Sequence, residues 1–156
     1  MAPGIRLYRP EDRAAAKLVY TRAVRIGSAA FHTETERAAW APQPDPDLSQ
    51  PDKLLDQHCL VSEEGGRMTG FMSMDEAGEL DMAFVIPEVM GKGTAAMLYD
   101  HLMIWAMTQG LTHLTVRAAE QSHRFLTRRG WQVHARERLE DGGQVYHLYL
   151  MSLELP

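Results

Sequence analysis

The residues best suited to chemistry form one stretch, Pro87, Glu88, Val89, Met90, Gly91, Lys92, Gly93, Thr94, Ala95 and Ala96, between a strand-like run and a helical one. Glycines at a helix start let backbone N–H groups approach an anion closely, and the helix dipole favours its negative charge. The stretch is therefore a candidate phosphate cradle. A P-loop needs a glycine five residues before Gly91 and Ser or Thr directly after Lys92; those places hold Ile86 and Gly93. A dinucleotide fingerprint fits the letters better, with Gly91, Gly93 and Ala96 as G-x-G-x-x-G/A and Arg117 ending the next strand where a 2′-phosphate would be met. That fingerprint turns directly after its strand, whereas Pro87 to Met90 intervene here, and a mid-chain position leaves no second mononucleotide half.

Just upstream, the run Glu79 to Ile86 alternates. A period of two puts Glu79, Asp81, Ala83 and Val85 on one face and Leu80, Met82, Phe84 and Ile86 on the other. Two carboxylates on one face of a central strand are costly to bury without partners, so water, a cation or a basic substrate should lie opposite them. Either could accept a proton. Other constellations are poor. The histidines at 32, 58, 101, 113, 123, 134 and 147 show no metal-ligand spacing, so no metal site is expected, and no G-x-S-x-G elbow exists. Cys59, the only thiol, reads as a small buried strand residue, and most of the ten methionines read as core filling.

These residues need elements to hold them. Ile5 to Tyr8 reads as a strand, and Ala15, Leu18, Val19, Ala23 and Ile26 recur at helical spacing after Pro10 and Asp12. Thr33 and Glu36 have capping-box spacing ahead of a short second helix, and residues 42–51, with four prolines, read as a rigid loop. A short helix near Asp52 to Gln57 precedes three runs, His58 to Ser62, Arg67 to Met74 and Glu79 to Ile86, whose tight turns imply an antiparallel meander. Helical period follows over 94–109, with Gly110 as its stop. A strand at Leu114 to Ala118, a helix from Ser122 to Arg129, and runs at Gln132 to Arg138 and Val145 to Leu153 complete the order βααβββαβαββ. A meander combined with βαβ crossovers predicts an α/β domain with a mixed, mostly antiparallel central sheet and flanking helices.

Residues 90 to 95 resemble the R/Q-x-x-G-x-G/A motif of the GCN5-related N-acetyltransferase (GNAT) superfamily, with Met90 in place of the usual Arg or Gln. Leu80 to Pro87 resembles its central fourth strand. Phe125 to Trp131, with Arg128, Arg129 and Gly130, resembles its later helix ending in R-R-G-F. The match covers nearly all of the chain. It implies acetyl-CoA as cosubstrate, its pyrophosphate cradled by Met90, Gly91, Lys92, Gly93, Thr94 and Ala95. The pantetheine arm would pair with Ala83, Phe84 and Val85 and be held at Gln121 and Ser122, with Phe125 and Arg128 also toward the coenzyme. The family's common general base falls on Glu79, with Asp81 the second candidate. Phe31, His32 and Arg117 are candidates for the acceptor, beside Tyr20 and Trp40, which read better as core.

The common position of the family's acid, a tyrosine, holds Leu126, leaving the leaving thiolate to water or to a hydroxyl such as Tyr146 or Tyr149. The implied activity is direct transfer of an acetyl group, in a ternary complex, to a primary amine of a small molecule or peptide. A non-catalytic acyl-CoA-binding module of the same fold is the alternative. Similar folds are often homodimers.

Composition bounds the remaining possibilities. A length of 156 residues suits one domain, 1–156, able to bury roughly 70% of its unfolded surface. With 16 Lys+Arg against 21 Asp+Glu, the net charge of −5 opposes nucleic acid or anionic membrane as partner. The longest apolar run, Leu102 to Met107, is far short of the roughly 20 residues that span a bilayer. Arg6, Arg9, Glu11, Asp12 and Arg13 interrupt any signal peptide, a lone cysteine suits a reducing compartment, and a cytoplasmic protein is expected.

Overall fold

Seven strands, three α-helices and three short 3-10 helices (Pro10–Asp12, Lys53–Asp56 and Pro87–Val89) make up the described part of the structure, a computed structural model that describes residues 4–24, 51–141 and 143–156. The strands are β1 (Gly4–Leu7), β2 (His58–Glu64), β3 (Arg67–Met74), β4 (Glu79–Val85), β5 (His113–Ala118), β6 (Gln132–Asp141) and β7 (Gln144–Glu154). The helices are α1 (Arg13–Arg22), α2 (Thr94–Thr108) and α3 (Glu120–Thr127). The helix expected after Thr33, and the proline loop up to residue 50, lie outside the described residues.

The strands form one sheet in the order β1-β2-β3-β4-β5-β7-β6. Every pair is antiparallel except β4 with β5, which run parallel because α2 crosses between them. Mixed, mostly antiparallel pairing is what the meander and crossover patterns predicted. Each face carries its own core. Leu60, Met72, Met74, Leu80 and Val116 pack beneath Leu98, Leu102 and Ala106 of α2, with Leu126 of α3 alongside. On the opposite face Cys59, Val61, Phe71 and Ile86 pack against Ala16 and Val19 of α1. In α1 the buried stripe takes in Ala16 and leaves the expected Leu18 exposed. Among the described residues no helix is long and apolar enough to cross a membrane.

Both crossover helices stop where glycine punctuation placed their ends. After α2, Leu111 N–H donates to Ala106 C=O and Gly110 N–H to Met107 C=O; after α3, Trp131 N–H donates to Leu126 C=O and Gly130 N–H to Thr127 C=O. These are Schellman turns, which satisfy carbonyls left over at a helix end. His58 of β2 stacks on Trp105 of α2, with ring centroids 4.2 Å apart and planes at 2°, fixing that helix over the sheet.

The strict alternation expected in β4 fails at one residue. Met74 stands opposite Leu80 and Ser73 opposite Met82, so Asp81 is the extra residue of a β-bulge. Leu80 therefore shares the α2-side core with Ala83 and Val85, while Met82 and Phe84 pack on the α1 side. Glu79, Asp81, Ala83 and Val85 do not line one face as period two required. Close contact between β3 and β4 also needs a glycine, since a Cβ on Gly70 would lie 2.8 Å from Val85 Cγ1 and 2.9 Å from Phe84 O.

A partly buried ion pair locks β1 to the entrance of α1. Both guanidinium Nη atoms of Arg6 donate to the Asp12 carboxylate at 2.8 Å, and Arg9 N–H donates to it at 2.7 Å. Arg6 holds the Asp12 carboxyl below its usual range. A depressed folded-state value means stabilisation that is complete above the unfolded carboxylate range and lost as pH falls through the folded value. Asp12→Asn should lower unfolding stability near neutral pH by about 2–3 kcal/mol and flatten the acid limb of a stability-against-pH curve from urea melts. An unchanged acid limb would show that the pair contributes nothing.

Candidate active site

The parallel ladder between β4 and β5 is short. Glu79 pairs with Thr115 and Leu80 with Val116, and no register continues beyond them. On its other side β4 stays paired, Ala83 with Met72, Phe84 with Phe71 and Val85 with Gly70. The strands therefore diverge downstream of Leu80, leaving the half-buried β5-side edge of Ala83 to Val85 without a strand partner among the described residues. β5 cannot close the gap, because its far edge is held by β7 along His113 to Ala118. A cleft of ≈ 390 Å³ opens at this divergence, bordered by Ala83, Phe84 and Val85 on one side and Val116, Arg117 and Ala118 on the other.

At one end of the cleft, Met90 and Ala95 bring the glycine loop and the start of α2 to its wall. Gly93 caps α2 at φ 86°, in the left-handed region, and Gly91 has φ 76°. That region costs an L side chain roughly 1–2 kcal/mol, so glycine suits both positions. The first helical bond runs from Met97 N–H to Gly93 C=O, so the amides of Thr94, Ala95 and Ala96 have no acceptor within the helix. Among the described residues no backbone carbonyl accepts from Gly91 or Gly93 either. These donors, with the helix dipole behind them, suit a phosphate.

Two ties steady this loop. Glu88 accepts from Arg22 at the end of α1, at 2.9 Å for Nη1, and from Arg67 Nη2 at 3.1 Å; its carboxyl is held low chiefly by Arg22. Across the cleft, Gln121 Nε2 lies 3.7 Å from Met90 Sδ, linking α3 to the loop through a weak sulfur acceptor. The α3 wall is fixed in turn by Phe125, which meets Tyr99 edge-on at 5.7 Å and lies 3.8 Å beneath the Arg129 guanidinium, while Trp131 Nε1 donates to Tyr99 Oη at 2.9 Å.

Among the described residues, the charged side chains lining the cleft are Asp81 and Arg117. Asp81 Oδ2 accepts from Gln57 Nε2 and pairs with Lys53 Nζ, both at 2.9 Å. No described partner engages Oδ1. The bulge is what aims this carboxylate out of the ladder.

Residues 31–153 match the family model of the acetyltransferase (GNAT) domain. The chain belongs to the GNAT family. Its fold is that of solved GNAT proteins. The GCN5-related N-acetyltransferase from Rhodopseudomonas palustris is 26% identical, with a TM-score of 0.88 over 99% of this chain and 97% of that one. YncA from Salmonella typhimurium, solved with acetyl-CoA, is 25% identical, with a TM-score of 0.69 over 100% and 95%. PaiA N-acetyltransferase from Thermoplasma acidophilum, in complex with coenzyme A, is 17% identical, with a TM-score of 0.78 over 99% and 100%. No curated protein sequence matches the chain at a significant level.

Within this GNAT fold the sequence-predicted residues fall into three groups. Asp81, Ala83, Phe84, Val85, Met90, Ala95, Arg117, Gln121, Ser122 and Phe125 all line the cleft. Gly91, Lys92, Gly93 and Thr94 lie between the lining residues Met90 and Ala95 but are not themselves in the lining, and Lys92 is exposed. Glu79 and Arg128 do not join them. Glu79 is exposed at the head of β4 beside Asp75, whose carboxylate takes its N–H, and it pairs with Thr115 in the closed part of the ladder, outside the cleft lining. Arg128 is the exposed C-cap of α3, and its neighbour Arg129 is the one folded over Phe125. Phe31, His32 and Trp40 lie outside the described residues.

Leu126 is buried and lines the cleft, so that position offers no acid. Tyr149 does not replace it: its hydroxyl donates to Glu120 Oε2 at 2.7 Å, its ring stacks on His123 at 3.9 Å, and it lies outside the cleft lining. Glu120 raises the Tyr149 phenol above its ordinary value. Tyr20, read as core, packs edge-on against Phe84 at 4.9 Å and also lines the cleft. Lys53 and Gln57 gave no local signal; only the folded chain brings them to Asp81. Among the described residues no group of three or more His, Cys, Asp or Glu is placed to hold a metal ion.

A Cβ on Gly93 would meet nothing within 4 Å. Gly93→Ala should therefore cost only the conformational term, about 1–2 kcal/mol of unfolding free energy in urea. A loss well above that would mean the residue makes contacts that this geometry lacks.

Proposed function

We propose that the protein transfers an acetyl group from acetyl-CoA to a primary amine, directly within a ternary complex and as one domain over residues 1–156. The observation that carries this reading is the ladder that stops at Leu80 and Val116 beside the acceptor-free amides of the glycine loop. Two needs of an acyl-CoA ligand are met side by side: donors for a pyrophosphate at Gly91 and Gly93 to Ala95, and a strand edge at Ala83 to Val85 for the amides of a pantetheine arm. Gln121 and Ser122 face that arm from α3. Met90 fits as a loop residue because the anion is met by backbone N–H groups.

Acetyl-CoA, when bound, supplies an acetyl group activated as a thioester. The acceptor amine must be neutral to attack, and Asp81 Oδ1 is the cleft's available carboxylate oxygen to receive its proton. The new N–C bond replaces the C–S bond, and the sulfur leaves as a thiolate. A thiol of ordinary pKa, about 8.5, leaves without full protonation near neutral pH, so solvent serves as proton source where Leu126 offers none. A thiol acyl-enzyme has no carrier here. Cys59 is buried beneath α1, away from the cleft, and burial pushes its thiol up to about 12. The non-catalytic alternative rests on Leu126 and on Met90.

Acetyl-CoA at about 100 times its Kd should raise the melting temperature by about 5–10 °C, whereas NADPH should leave it unchanged. Release of free CoA with an amine panel should fall about 10²- to 10⁴-fold in kcat for Asp81→Asn and by less than about twofold for Glu79→Gln. No thermal shift with acetyl-CoA would overturn the whole reading. Binding without turnover, or full activity of Asp81→Asn, would overturn the role given to Asp81.

A further inference from the structure

Resting on the acetyl-transfer reading, the cleft also carries information about the acceptor. Leu80 and Val116 pair across the last rung of the ladder and both point into the α2-side core. Alternation along β5 turns Arg117 to the opposite face, that of α1. Asp81 faces the same way, because its partners Lys53 and Gln57 flank Leu54, which packs in the α1-side core. The carboxylate and the guanidinium that line the cleft among the described residues thus stand on the same face, on either side of the opening strands.

Among the described residues, the rest of that face of the cleft is apolar. Tyr20 and Val24 of the α1 region, Phe84 of β4 and Leu148 of β7 complete the lining around the two charges. Leu148 is opposite Glu137 in the β6–β7 register, and Glu137 Oε1 accepts from Arg117 Nε at 3.1 Å. Engaging Nε leaves both Nη groups of Arg117 without a described partner, in the fork geometry that grips a carboxylate through two parallel bonds.

We propose that the acceptor is an amino acid with an apolar side chain. Its amine is received at Asp81 Oδ1, its carboxylate by the Nη fork of Arg117, and its side chain by Tyr20, Val24, Phe84 and Leu148. Opposite charges on the ligand match opposite charges on the wall, and the gap between β4 and β5 sets a short span between them. A polyamine would meet Asp81 but would place a second ammonium near Arg117. A plain alkylamine would leave the guanidinium without its anion.

The test measures CoA release with L-leucine, L-methionine and L-phenylalanine, each beside its decarboxylated amine, and with spermidine. The expected result is a kcat/KM about 10- to 100-fold higher for at least one amino acid than for its own amine. Arg117→Gln should bring that ratio close to one, and Arg117→Lys, which keeps the charge but loses the fork, should give an intermediate ratio. The Lys variant decides the matter if the Gln variant does not fold. Equal use of acid and amine, a preference for spermidine, turnover of none of the panel, or an unchanged ratio in both variants would overturn the proposal. The thermal shift with acetyl-CoA is read in the same samples. Its absence sinks the acetyl-transfer reading itself, whereas its presence with a failed acid preference sinks only the acceptor assignment.

Discussion

The structure depends on a parallel pairing that is abandoned after two rungs. Glu79 and Leu80 meet Thr115 and Val116, and from there β4 and β5 part company in the middle of a seven-stranded sheet. Leaving backbone groups unpaired at a half-buried edge costs about 1–3 kcal/mol for each group that water cannot reach. The fold tolerates that cost because both strands are anchored on their other sides, β4 to β3 and β5 to β7. An open edge of this kind is a template for one further strand, the role proposed above for an extended ligand carrying its own amides.

Everything around the opening keeps it open and equips it. The bulge at Asp81 bends β4 and turns a carboxylate out of the ladder, where Gln57 and Lys53 hold one oxygen and leave the other. Pro87 to Gly93 then carry the chain from the end of β4 to the start of α2, so orphan helix amides and an orphan strand edge arise within a dozen residues of each other. Glu88 ties this loop to α1, and the Tyr99, Phe125, Arg129 and Trp131 cluster ties α3 to α2. The cleft walls are therefore set by contacts outside the cleft. This arrangement lets the lining itself stay small and apolar around two charges.

Much of this was legible in the chain. Alternation and glycine stops placed the described strands and α2 within one or two residues, save the end of β6, which runs three residues past Arg138 and lies outside both cores; the other strands put a face on a core, and each crossover helix ends in a Schellman turn. The phosphate loop was legible because Gly91 and Gly93 are needed for their backbone shape, which glycine advertises. The bulge was not, since one extra residue leaves no mark on composition, yet it shifted the parity of Ala83 and Val85 against that of Glu79 and Asp81. Partnerships across long sequence gaps, Gln57 with Asp81 or Arg129 with Phe125, are products of packing. They favoured Arg129 over Arg128 for a reason no local pattern holds.

In the proposed complex an acyl-CoA occupies the divergence of β4 and β5 with its pyrophosphate on the glycine loop. Backbone amide chemical shifts followed during titration with CoA test this most directly, since they report residue by residue without requiring an acceptor. The largest changes should fall at Gly91, Gly93, Thr94 and Ala95 and at Ala83 to Val85, with small changes on β1 and β2. Saturable changes confined to other parts of the sheet, or none in the glycine loop, would contradict it.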